Sequence, residues 1–407
     1  MPIDPILQEF GGMLIRWLHV IAGIAWIGSS FYFMHLDAAL KPVGDTPPYG
    51  RTWEVHGGGF YEVKKYLEAP AHLPRELIWH KWQAYATWLS GFGLLVWSYY
   101  LHADLYLIDA AVMPLNGWQA AGIGLLSLIL GWAVYDGLCR SPLAKSEGAL
   151  SIVLFGFIVA LAFALQQVFS GRGAFIHVGA VMGTIMSANV FMIIIPGQKK
   201  IIASLLAGER PDPALGRRAK IRSTHNNYLT LPVVFLMLSG HYPMVWSTQW
   251  GFVIVALVLV AGAVIRVFYN QRHAGKGDPW WCWAVAALAL WLVLWIAMAA
   301  SPLGRERLGL SPLEPAPAKV AQAAAPDEIA NLVAGRCAMC HAREPGWPGI
   351  AIAPKGVRFD TPQDVARQKH AIYLQSVASN AMPPGNLTGM TREERLMLAR
   401  WIAGKPL

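Results

Sequence analysis

The sequence predicts an all-α protein: an eight-helix transmembrane bundle, then a small helical domain outside the membrane. Three observations predict it. The 407 residues are 55% hydrophobic and only 14% charged, whereas a soluble globular chain is about 25% charged. The apolar residues gather in eight runs within the first 300 residues. Beyond them the chain turns polar and carries Cys337-Ala338-Met339-Cys340-His341.

The spans read as residues 11–35, 79–101, 116–136, 148–170, 174–196, 225–240, 247–269 and 280–300. Each is close to the ~20 residues that cross a hydrocarbon layer of ~30 Å at 1.5 Å per residue. The first run is long and lacks an A-x-A-like exit, so it is expected to stay as a span and not to be cleaved as a signal peptide. The sixth is short, begins amid Asn226 and Asn227 and contains Pro232, which predicts a kinked helix shielded by its neighbours.

Charge orients the bundle. Connections after the first, third, fifth and seventh spans hold nearly all the basic residues, among them Lys64, Lys65, Arg75, Arg140, Lys145, Lys199, Lys200, Arg217, Arg218, Lys220, Arg222, Arg272 and Lys276. Those after the second, fourth and sixth hold essentially only Arg172. The positive-inside rule makes the first set cytoplasmic and puts both chain ends outside. The net charge of +9 therefore reads as topology, with membrane lipid as the partner and no nucleic acid.

Residues 301–326 are rich in Pro and Ala and read as a linker between a membrane domain, 1–300, and a second domain, 327–407. In that second domain, two cysteines spaced C-x-x-C and followed at once by histidine are the attachment signature of a c-type haem. The thiols of Cys337 and Cys340 form thioethers, and His341 is the proximal iron ligand. No second Cys/His pair follows at zinc-ligand spacing. Met382, in the proline-stiffened stretch Asn380-Ala381-Met382-Pro383-Pro384-Gly385, is the candidate for the other axial position. Helices are expected before Cys337, over 361–378 and from the Thr391-Arg392-Glu393-Glu394 cap to Ile402, which predicts a class I-like monohaem cytochrome c fold. Haem is attached to such proteins outside the cytoplasm, in agreement with the charge-derived topology. Cys139 and Cys282 read as small buried hydrophobes.

Ionisable groups inside spans are costly and are functional candidates. Near the outer face, His19 and His177 lie at matched depth on faces lined by small residues. They could bracket a b-type haem, or each could be a packing histidine hydrogen-bonded to a neighbouring helix. Near the inner face, His225-Asn226-Asn227-Tyr228 is dense in donors and acceptors, and His225 and Tyr228 are three residues apart on one face. This cluster suits a polar planar ligand or, equally, an interfacial cap. His80 and His56 lie on the same side, His56 opening a glycine run at 57–59 that lets backbone approach a ligand or simply turn.

On these residues the chain resembles the membrane-bound, cytochrome c-linked urate hydroxylases (urate oxidases) of bacterial purine breakdown. The likeness runs through Arg16-Trp17-Leu18-His19-Val20, Trp53-Glu54-Val55-His56-Gly57-Gly58-Gly59-Phe60-Tyr61, His225-Asn226-Asn227-Tyr228-Leu229-Thr230-Leu231-Pro232 and the haem-type segment with Cys337, Cys340, His341 and Met382. The resemblance implies oxidation of urate to 5-hydroxyisourate with electrons passed to a covalent haem c and not to oxygen. It further implies a bacterial inner-membrane location with the cytochrome domain in the periplasm, and a downstream soluble cytochrome c or respiratory-chain oxidase as partner. The candidate catalytic residues are His225, Asn226, Tyr228, His80 and His56. Another cytochrome-linked membrane dehydrogenase, or a non-enzymatic electron-carrier subunit, would use the same wiring.

Overall fold

Long apolar runs, each closed by a polar cap or a basic turn, set the helices of this chain. The computed structural model describes residues 5–42, 50–66, 73–74, 76–109, 112–300, 305, 308–310, 325–348, 350, 353–354, 357–378 and 381–406. Helix α1 spans Pro5–Ala39. A hairpin of β1, Gly50–His56, and β2, Gly59–Lys65, follows. Next come α2, Trp82–Leu95, prolonged by a π turn over Val96–Tyr100, and the short α3, Ala103–Tyr106. Then follow α4, Gly117–Arg140; α5, Glu147–Gln166; and α6, Gly171–Ala188, which passes through a π turn into α7, Ile195–Leu206. The membrane part ends with α8, Pro213–Ser239; the short α9, Pro243–Trp246; α10, Gly251–His273; and α11, Trp281–Ala299.

Among the described residues, six helices are long and apolar enough to cross a membrane: α1, α4, α5, α6 with α7, α10 and α11. The other two predicted spans are helical but differ from expectation. The stretch 79–101 becomes α2, 14 residues long before its π turn. The stretch 225–240 is only the second half of α8, which starts at Pro213 because Asp212 caps the Ala214 amide and proline occupies the first turn. Arg217, Arg218, Lys220 and Arg222 then ride on a helix where a loop was expected, and His225 lies well inside it and not at its mouth.

The all-α expectation is corrected by the hairpin. His56 pairs with Gly59, leaving Gly57 and Gly58 as a two-residue turn with φ of 57° and 80°. This left-handed pair matches the twist of the strands and suits glycine. Thr52, Trp53 and Val55 on β1 and Phe60, Tyr61 and Val63 on β2 supply the strand-forming residues. Lys65 ties the hairpin to Asp37 at the end of α1 at 2.6 Å.

The core runs along α6. Just over half of its apolar window, 56%, is buried, against 11% for α1, so α6 is central and α1 peripheral. Phe169, Phe175, Val178 and Met182 pack there with Leu236 of α8 and Ile254, Val255 and Val258 of α10. The Ser170 amide donates to Leu107 O at 2.9 Å and its hydroxyl to Tyr106 O at 3.0 Å, fixing the α3 segment to the start of α6.

A second core lies in the C-terminal region, where Ile329, Val333, Phe359, Val365, Ile372, Met390 and Leu398 pack together. It is built from α12, Asp327–His341; α13, Pro362–Arg367; α14, Lys369–Ile372; and α15, Arg392–Ile402. Capping boxes at Thr361 with Asp364 and Thr391 with Glu394 start α13 and α15, the latter as the sequence predicts. Most of the expected linker 301–326, and Asn380, lie outside the described residues. The loop after Met382 meets the membrane part: a Cβ on Gly385, whose φ is 53°, would clash with Ile108 O.

Candidate functional site

Helix α8 carries its polar stretch on two faces, and the structure divides the predicted residues between them. On one face His225 and Asn226 join a closed network. His225 Nδ1 and the Tyr135 hydroxyl share a hydrogen bond of 2.8 Å. Asn189 Nδ2 donates to Tyr135 at 2.9 Å and to Asn226 Oδ1 at 2.9 Å, while Asn226 Nδ2 donates to Met186 O at 2.9 Å. Below them Arg222 Nη2 donates to Asp136 Oδ1 at 2.5 Å, and its guanidinium lies 4.9 Å from the Tyr135 ring centre. Buried charge is tolerated when paired and hydrogen-bonded, as here.

On the other face Asn227 reaches α10. Its Oδ1 accepts from Arg266 Nε at 3.1 Å and from Asn270 Nδ2 at 3.3 Å, and Arg266 Nη2 donates to Asn270 Oδ1 at 3.1 Å. The Arg266 guanidinium covers the Phe31 ring at 4.1 Å, and Tyr228 lies within its electrostatic reach. Beside it opens a cavity of about 460 Å³ lined by Phe31, His35, Leu231, Arg266, Tyr269 and His273, among others. The His35 and His273 rings stack with centres 4.0 Å apart.

His56 and His80 are not brought to either cluster. His56 is exposed at the hairpin turn and lines a separate cavity of about 660 Å³ with Tyr32, Glu54 and Tyr61. His80 meets the edge of Phe33 at 4.8 Å.

The outer histidines, His19 and His177, hydrogen-bond different neighbours. His177 is fully buried; its Nδ1 donates to Gly173 O at 2.8 Å, and its Nε2 hydrogen-bonds the Tyr100 hydroxyl at 3.2 Å. His19 instead faces α2, where its Nδ1 donates to Thr87 O at 3.0 Å. Both rings are held through Nδ1 by a backbone carbonyl, an arrangement that serves a packing histidine and a haem-ligating one alike.

The C-terminal residues do fit a covalent haem. Cys337 and Cys340 are free thiols on the last turn of α12, and burial pushes the Cys337 thiol up to about 12. His341 Nδ1 donates to Val357 O at 2.9 Å, which fixes the ring; Nε2 is the nitrogen that would hold a haem iron. Met382 is pinned through its backbone: its amide donates to Gln375 O at 2.8 Å and its carbonyl accepts from Arg395 Nη1 at 3.0 Å.

The family model described as urate oxidase N-terminal matches residues 5–297. The chain belongs to this family. The urate oxidase match covers the membrane part, including both faces of α8, and ties it to an oxidoreductase family; residues 327–407 lie beyond it. No curated protein and no solved structure matches the chain.

Sequence reasoning missed Arg266 and Asn270 on α10, and Tyr135, Asp136 and Asn189 opposite His225. Arg266 had a legible signal, a lone charge inside the predicted span 247–269, which by cost alone marks a functional candidate. The pairing of Tyr135 with His225 had none, because it joins α4 to α8 across 90 residues.

Proposed function

We propose that this chain is a multi-pass inner-membrane urate hydroxylase that passes electrons to its own C-terminal haem c. One observation carries the reading: a urate oxidase N-terminal region covering residues 5–297 is continuous with a C-x-x-C-H segment whose histidine ring is held through Nδ1 by Val357 O. Urate and water give 5-hydroxyisourate, two protons and two electrons. Oxidation makes C5 electrophilic, and a histidine is the natural acceptor for the proton of the attacking water. Helix α8 offers such groups on two faces: His225 and Asn226 in the network closed by Tyr135, and Asn227 and Tyr228 on the side of Arg266, where His35 and His273 stack at the cavity wall; His56 and His80 stand apart from both.

At the other end of the membrane part, Cys337 and Cys340 would hold the haem covalently, with His341 and Met382 as axial ligands. That group supplies one-electron acceptance, so each urate requires two transfers. The Arg395 contacts keep Met382 in place, and Phe359 shields His341 edge-on at 5.5 Å. The onward acceptor is a soluble cytochrome c or a respiratory-chain oxidase on the outer side.

The test is anaerobic addition of urate to the purified full chain. Reduced c-haem bands should appear together with 5-hydroxyisourate, and with no hydrogen peroxide when oxygen is readmitted. A haem that dithionite reduces but urate leaves oxidised would refute the reading.

A further inference from the structure

We propose that the cavity between α1, α8 and α10 is the substrate seat, built for a planar organic anion with Arg266 as its anchoring cation. The inference rests on the urate reading and locates the substrate within it. Arg266 is 5% exposed, as is Arg222. Arg222 has Asp136 at 2.5 Å, whereas no carboxylate among the described residues lies within ion-pair distance of Arg266. Its neighbours are the neutral amides of Asn227 and Asn270 and the face of Phe31. A buried cation without a counter-charge is unfavourable, and a ring face offsets that only in part. An arriving anion supplies the missing charge.

The geometry narrows the kind of anion. Two amide oxygens hold Nε and Nη2, so the guanidinium plane is fixed, and Nη1 has no hydrogen bond among the described residues. A planar oxoanion edge matches that fork better than a point charge does. The cavity, about 460 Å³, is within the range of small-molecule sites. Its walls are flat: Phe31, Tyr269 and the stacked His35 and His273. Behind Arg266, and not itself lining the cavity, Asn227 is fully buried and its Nδ2 has no partner among the described residues, so the amide's oxygen is committed to the guanidinium. An oxopurine monoanion combines these features: one negative charge and a flat ring.

The experiment measures equilibrium binding of urate to the full chain, purified, chemically reduced and kept anaerobic so that no turnover occurs. The parent should bind urate saturably. Arg266→Gln should weaken binding about tenfold to a hundredfold, the range for losing a charge-assisted contact, with Arg266→Lys between the two. Asn270→Asp places a carboxylate against Arg266 from within. It should weaken urate binding to a similar degree while raising the thermal midpoint, a combination that a merely structural role does not give. Should Arg266→Gln fail to fold, Asn270→Asp decides alone. Parental affinity in these variants overturns the proposal. So does stabilisation of delipidated protein by phosphatidylglycerol in an Arg266-dependent way without any urate binding, since the cavity is then a lipid-headgroup site. Failure of urate to reduce the parent haem strikes the functional reading alone; unchanged binding in the variants strikes the cavity alone.

Discussion

At the scale of residues, the two faces of α8 make opposite demands on histidine. His225 hydrogen-bonds Tyr135 inside a closed network, whereas His273 stacks on His35 at the wall of an open cavity. If substrate sits by Arg266, His225→Ala should lower stability by about 1–3 kcal/mol, from a buried hydroxyl left short of a partner, with little change in urate-driven haem reduction. His273→Ala should instead slow that reduction by about a hundredfold, the scale of a lost acid–base group. Stopped-flow traces showing the reverse order would move catalysis to the Tyr135 face. Met382 permits a separate test, because its backbone is held independently of its thioether. Met382→Ala should keep covalent haem but alter the ligand-field spectrum and the midpoint potential; an unchanged spectrum and potential would name another axial residue. His341 and Met382 could be proposed from the sequence because a local motif and a local turn point to them. Arg266 was not read, since in a one-dimensional sequence one charge is easily lost in an apolar run.

Elements were legible where hydropathy alone decides them. All eight apolar runs are helical, but the start of α8 was missed because four basic residues between Arg217 and Arg222 look like a loop until Asp212 and Pro213 are recognised as a cap. The hairpin was missed because its strand formers are interrupted by Glu54, Glu62 and the glycine run and show no clean two-residue alternation. The short 3-10 turn at Pro384–Asn386 has a testable role of its own. Gly385 and Gly389 both have positive φ, 53° and 64°, so alanine at either is disfavoured by about 1–2 kcal/mol. Only at Gly385 would the Cβ also strike the membrane part, at Ile108 O. Gly385→Ala should therefore raise hydrogen exchange over 103–109 and slow urate-driven haem reduction, while Gly389→Ala leaves both near parental. Equal effects would mean that the contact carries no coupling. In α15, burial alone would raise the Glu394 carboxyl, but hydrogen bonds from Arg336 and the Thr391 amide outweigh it and hold it below the ordinary carboxylate range. A depressed folded-state pKa adds stability above the unfolded value, about 4.3, that is lost as pH falls through the folded value. The unfolding midpoint of the C-terminal core should thus fall on acidification below about pH 4, and Glu394→Gln should flatten that fall. Parallel curves for the two proteins would show that the pair contributes nothing.

At the scale of the whole molecule, two unrelated features agree on sidedness. Basic residues gather in the hairpin region, on α7 and the first half of α8, and after α10, which by the positive-inside rule is the cytoplasmic end. The cavity at Arg266 lies at that end of α10, the side from which the proposed substrate would enter. The C-terminal core instead meets the α3 segment, in the connection that follows α2 and carries no lysine or arginine from Leu101 to Asn116. Under the proposed function, substrate and acceptor would lie at opposite ends of the membrane part, and oxidation inside would deliver electrons outside. This arrangement can be checked without activity. Glu209 is exposed between α7 and α8, and Arg392 is exposed at the start of α15. In intact cells a membrane-impermeant maleimide should label Arg392→Cys at once, and Glu209→Cys only after the inner membrane is opened. The native thiols give a low background, as Cys282 is buried and Cys139 half-buried. Labelling of Glu209→Cys in sealed cells, with Arg392→Cys protected, would invert the topology and place the urate cavity and the haem on the wrong sides for this direction of electron flow.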